Sequence, residues 1–148
     1  MAEQAYKALA IAQKQMKTPD KDKQNKFLKN TYASLESCFK AIVPALHKNN
    51  FVLLQRGGKD EMGHYVETSF AHATGKEFTS RIYLIIEKNN MQGLGSAITY
   101  AKRYGLLSLA GQEPNELDDD DAEEASKTPR KELPIPTKEK TKSEGDNF

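Results

Sequence analysis

Cysteine is almost missing from this 148-residue chain: Cys38 is its only one. A single thiol can form neither an internal disulfide nor a thiolate cluster for a metal, so a reducing compartment is expected. The three histidines, His47, His64 and His72, show no ligand spacing, which gives a metal centre no support. Long apolar runs are also missing, and none approaches the ~20 residues that span a bilayer. Met1-Ala2-Glu3-Gln4 lacks the basic-then-apolar pattern of a secretion signal. No Gly-x4-Gly-Lys-Ser/Thr loop occurs, which disfavours ATP-driven chemistry. A soluble intracellular protein with no cofactor and no membrane contact is the expectation.

What is present is charge, unevenly placed. The totals of 22 basic and 21 acidic residues conceal an asymmetry: residues 116–148 hold 11 acids against 6 bases, which leaves 16 bases and 10 acids for residues 1–115. A basic body suits a polyanionic partner. The acidic end, with its Asp118 to Asp121 run and no hydrophobic periodicity, is expected to be a disordered tail, because it cannot bury enough apolar surface to offset ordering entropy. The domain is therefore expected over residues 1–115, with a weak helix and basic loop in 1–30 and a core in 31–111.

Within the body, Ala5, Leu9, Ala12 and Met16 repeat at thin helical spacing up to Pro19. Lys17, Lys21, Lys23, Lys26 and Lys29 then mark an exposed basic loop, with Phe27 and Leu28 as its apolar anchors. Tyr32, Leu35, Phe39, Ile42, Val43 and Leu46 make a strong helical stripe with Thr31 as N-cap and Pro44 inside. Three strands are predicted next, over residues 51–56, ending at Gly57-Gly58, then 64–72 and 78–86, with a hairpin turn at 73–76. A final helix follows over residues 94–110. The fold class is α+β: a three-stranded antiparallel sheet with one helix before it and a long helix packed on it.

On a wheel, Leu94, Ala97, Ile98, Ala101, Tyr104, Gly105 and Leu109 share one arc of the last helix, leaving Tyr100 and Leu107 outside it. Ser96, Thr99 and Arg103 fall opposite, with Lys102 at the flank. Short hydroxyls let a phosphate backbone approach, and the two cations supply charge-assisted hydrogen bonds. Gly93 and Gly95 at the helix opening would form a phosphate seat over free N–H groups. A Lys-Arg pair is equally the ordinary make-up of a solvated face, and the helix alone does not decide between the two. As a dinucleotide fingerprint the glycines fail, because Ile98 stands where a third glycine belongs.

The stretches Lys21-Asp22-Lys23-Gln24-Asn25, Tyr32-Ala33-Ser34-Leu35 and Val43-Pro44-Ala45-Leu46 precede a block running from Gly95 through Ser96-Ala97-Ile98-Thr99-Tyr100-Ala101-Lys102-Arg103 to Tyr104. With the acidic run behind them, over roughly residues 5–121, they resemble the Erf family of phage single-strand annealing proteins. The resemblance implies an ATP-independent recombinase, in the cytoplasm of a bacterial host, that coats single-stranded DNA and anneals complements. It also implies homo-oligomeric rings or helical filaments, with DNA in a basic groove of a β-β-β-α unit. The expected DNA contacts are Lys102 and Arg103, helped by Ser96, Thr99, Lys26 and Lys29, and further by Arg56 and Arg81.

Two rivals stand beside this reading. A nuclease could use Asp118 to Asp121, but catalytic carboxylates need fixed positions, which a tail does not give. A coating protein that binds single strands without annealing fits the same residues. The tail itself would compete with DNA for the basic groove, keep the protein soluble, or dock a host or phage replication protein.

Overall fold

The computed structural model describes residues 1–27 and 29–113. The tail expected over 116–148 lies outside the described residues. The element order is α1 (Ala2–Gln15), β1 (Lys23–Asn25), β2 (Asn30–Tyr32), α2 (Leu35–Lys48), β3 (Phe51–Asp60), β4 (Gly63–His72), β5 (Glu77–Tyr83) and α3 (Met91–Ala110). Strands β3, β4 and β5 form the expected antiparallel sheet in sequential order. No helix among the described residues is long and apolar enough to cross a membrane.

Alternation along the strands sorts the sheet into two faces. Register pairs Leu53 with Phe70, Gln55 with Thr68 and Gly57 with Val66, and on the next strand Phe70 with Phe78 and Val66 with Ile82. This phase faces the helices: Val66, Thr68 and Phe70 are all buried. Ile42 and Leu46 of α2, Leu106 and Leu107 of α3 and Phe51 of β3 complete the core. The α1 helix joins through alanines, with Ala5 and Ala12 fully buried, and Gln13 Nε2 donates to the Ala110 carbonyl at 3.0 Å.

Several expected boundaries move, each for a local reason. The stretch read as an exposed basic loop contains an antiparallel ribbon, β1 with β2, in which Lys23 faces Tyr32 and Asn25 faces Asn30. Phe27 is no anchor there, since it is 95% exposed. The α2 helix starts at Leu35 because Ser34, not Thr31, is the N-cap; its hydroxyl accepts from the Ser37 amide at 3.1 Å. Asp22 in turn accepts from both the Ser34 amide and hydroxyl at 2.8 Å, fixing the foot of the ribbon to the helix. These bonds hold the Asp22 carboxyl below its usual range. The apolar stripe of α2 is also rotated, burying Cys38, Ala41 and Ala45 beside Ile42 and Leu46.

Strand β3 does not stop at Gly57-Gly58. It runs on to Asp60, paired through Gly58 with Tyr65. A Cβ at Gly58 would overlap the Tyr65 ring, so glycine here lets an aromatic lie across the backbone. The last helix begins three residues before its expected start, at Met91, with Asn90 as N-cap. Its C-terminal half is mostly buried, with Ser108 left exposed: Arg103, Gly105, Leu106, Leu107 and Ala110 are buried, including Leu107, which the wheel left outside the core.

Candidate nucleic-acid interface

Helix α3 is set on the sheet by two contacts. Gly105 lies against Thr68, where an added Cβ would stand 2.6 Å from the threonine Oγ1. Gln55 Nε2 donates to Thr68 Oγ1 and to the Lys102 carbonyl, both at 3.0 Å. Together they fix the backbone at Lys102 relative to β3 and β4. The N-terminal half of α3 then stands beside the far end of the β3–β4 hairpin and borders an open groove of about 980 Å³.

The chemistry of this groove follows from strand phase. Leu84, Ile86, Leu94 and Ile98 give it apolar walls, while Lys59, His64 and Lys102 are among its polar groups. Among the described residues no aspartate or glutamate lines it, and no ion pair involves Lys59 or Lys102. Gly95, Thr99 and Lys102 recur at i, i+4 and i+7, so they share one stripe of α3. Gly95 and Thr99 are exposed and the space before Gly95 is open. Ser96 is exposed on the neighbouring flank.

The sheet's opposite face carries the acids. Arg81 pairs with Asp60 and with Glu67, each at 3.1 Å, and Arg56 pairs with Glu77 at 3.2 Å. Tyr83 donates to Asp60 at 2.6 Å. That bond is the main reason the Asp60 carboxyl sits below its usual range and the Tyr83 phenol above its own. Arg56 and Arg81, both expected in the groove, therefore lie across the sheet from Lys102, balanced by three carboxylates.

A depressed carboxyl stabilises the fold above its unfolded value, near pH 4, and loses that contribution as pH falls through the lower folded value. Tyr83→Phe should therefore unfold at a lower temperature than the parent at pH 7, and the gap should shrink below about pH 4. Thermal melts across that range check it; a constant gap would show that Asp60 is not the group responsible.

Two further expected residues are placed differently. Arg103 was read on the solvent face but is 7% exposed. Its guanidinium carbon lies 5.0 Å from the Tyr32 ring centroid and 5.2 Å from those of Tyr100 and Tyr104. The ribbon, contributing Tyr32, covers the side of the helix that the wheel left open. The expected phosphate seat is also altered. Gly93 lies within the first turn, its amide donating to Asn90 Oδ1 at 2.7 Å, and its missing Cβ makes room for the Lys88 carbonyl.

Lys59 goes unrecognised in the sequence because the predicted strand ends before Gly57, and without it His64, which opens the predicted strand 64–72, has no cross-strand partner to mark it. The signal was available, since Lys59 continues the Leu53, Gln55, Gly57 phase. Lys26 and Lys29 are exposed at the ribbon turn, apart from the groove lining.

A family model described as the ERF superfamily matches residues 5–147. Comparisons with curated proteins and with solved structures give no match.

Proposed function

The chain belongs to the ERF superfamily, and from that premise we propose that it binds single-stranded DNA and anneals complementary strands without ATP. Membership supports a recombination role of the single-strand annealing type; the groove supports the finer reading. The carrying observation is a cleft with apolar walls and lysines in its lining, and with no carboxylate there among the described residues. Unpaired bases offer apolar faces to such walls, while their phosphates meet Lys102 and Lys59. Thr99, Ser96 and the open approach at Gly95 let the sugar-phosphate chain come close to α3.

Binding should tolerate any sequence and weaken steeply with salt. Lys102→Ala and Lys59→Ala should each reduce affinity on all sequences and lower the salt slope by about one unit. Fluorescence anisotropy of labelled oligonucleotides at several salt concentrations measures this. A slope unchanged in both variants would remove the groove from the reading. Complementary oligonucleotides without nucleotide cofactor then distinguish annealing from coating alone.

A homo-oligomer, ring or filament, is part of the same proposal, and it is the form in which strands would be presented for pairing. Leu107 cannot serve that contact, being buried, whereas Tyr6, Ile11 and Tyr100 are exposed.

A further inference from the structure

The ribbon turn presents an aromatic ring where no fold requires one. Phe27 is 95% exposed, yet the backbone carrying it is closely held. Its amide donates to Asn25 Oδ1 at 2.9 Å, and the Lys29 amide donates to the Asn25 carbonyl at 2.7 Å. Just behind the turn Asn30 is buried, and at the foot of the ribbon Tyr32 lies against Arg103 and Asp22 is bound to Ser34. Exposing a benzyl side chain to water forfeits its burial, and no contact among the described residues compensates for it.

The surroundings of the ring indicate its partner. Lys26 and Lys29 flank it, Lys21 and Lys23 follow down the same arm, and all four are exposed. The nearest carboxylate along the strand, Asp22, is engaged by Ser34. A second copy of this tip would bring lysines against lysines. A single strand brings an apolar base face and a phosphate on each side, which matches an aromatic between two cations. Duplex DNA matches poorly, since its base faces are already stacked.

We propose that Phe27 is a base-stacking element for single-stranded nucleic acid, with Lys26 and Lys29 holding the phosphates beside the stacked base. This rests on the single-strand binding proposed above and adds a second contact point outside the α3 groove.

The chain has no tryptophan, so Phe27→Trp in the full-length protein introduces a lone fluorescent reporter at an exposed position. A thymidine oligonucleotide and an abasic oligonucleotide of equal length are the probes. Stacking should quench the introduced tryptophan with the thymidine strand and not with the abasic one. Phe27→Ala should weaken thymidine-strand binding about 5- to 150-fold, leaving abasic binding and the salt slope as in the parent. Unchanged emission while anisotropy reports a bound strand overturns the inference and leaves single-strand binding standing. An emission change that follows protein concentration without DNA assigns the ring to a copy-to-copy contact and also overturns it. Failure of the parent to bind the thymidine strand rejects the single-strand reading itself.

Discussion

Arg103→Ala is expected to destabilise the fold by about 2–3 kcal/mol, because it removes a desolvated cation from a cluster of tyrosine rings and leaves a void. The guanidinium lies within 5.2 Å of three ring centroids, and Tyr100 and Tyr104 are themselves stacked at 4.5 Å, with their hydroxyls 3.1 Å apart. Tyr32 belongs to the ribbon and the other two to α3, so the cluster joins elements that are distant in sequence. Urea unfolding should show a lower midpoint at an unchanged m-value. Arg103→Lys should recover only part of the loss, since an ammonium keeps the charge but not the planar stacking surface. Any DNA-binding defect of Arg103→Ala should then be smallest at low temperature, where the variant is fully folded. A variant as stable as the parent would return Arg103 to the list of direct phosphate contacts.

Gly105→Ala should also be destabilising, although alanine is the better helix former by about 1 kcal/mol. The added methyl would stand 2.6 Å from Thr68 Oγ1 and 3.6 Å from the Ile82 side chain. Thr68 is fully buried and already accepts from Gln55, so it has little freedom to yield. Overpacking of this kind costs about 1–3 kcal/mol, which outweighs the propensity gain. Displacement of α3 would also loosen the Gln55 bond to the Lys102 carbonyl, so the variant should bind single strands more weakly even when folded. Combining it with Thr68→Ala should cost less than the sum of the two changes. Chemical denaturation of the four proteins in the cycle measures this; strict additivity would show that the close approach at Gly105 is not the cause.

The sheet was legible in the sequence because alternation survives in Val66, Thr68 and Phe70 and again in Phe78, Ser80 and Ile82. The helices were legible as helices but not in their facing. A wheel assumes one narrow buried side, whereas the C-terminal half of α3 meets the sheet, α2 and, at Arg103, Tyr32 of the ribbon, leaving Ser108 exposed. The consecutive Leu106-Leu107, with Leu109-Ala110 close behind, was the sign, since apolar residues at successive positions widen the buried arc. The ribbon was hidden for a different reason. Its strands are three residues long and polar, and they are held by Asn25, Asp22 and the Arg103 cluster rather than by an apolar face. Of the expected contacts, Lys102 lines the groove and Thr99 and Gly95 are exposed on the same stripe of α3, while strand parity sends Arg56 and Arg81 to the opposite face. For Arg81 that parity follows from the Phe78, Ser80, Ile82 alternation alone, whereas Arg56 ends the run Phe51-Val52-Leu53-Leu54, which is apolar in both phases and does not show which side faces inward.

The separation of lysines from carboxylates across the sheet limits how the gene for this chain can change. A nucleotide substitution alters one charge in place and leaves the others where they are. Loss or gain of a single codon within β3, β4 or β5 moves every later side chain of that strand to the other face. In β4 it would carry Glu67 to the face beneath α3 and turn Phe70 out of the core. Tolerated length variation should therefore be confined to the two hairpin tips, residues 61–62 and 73–76, while the strands between them diverge by replacement alone.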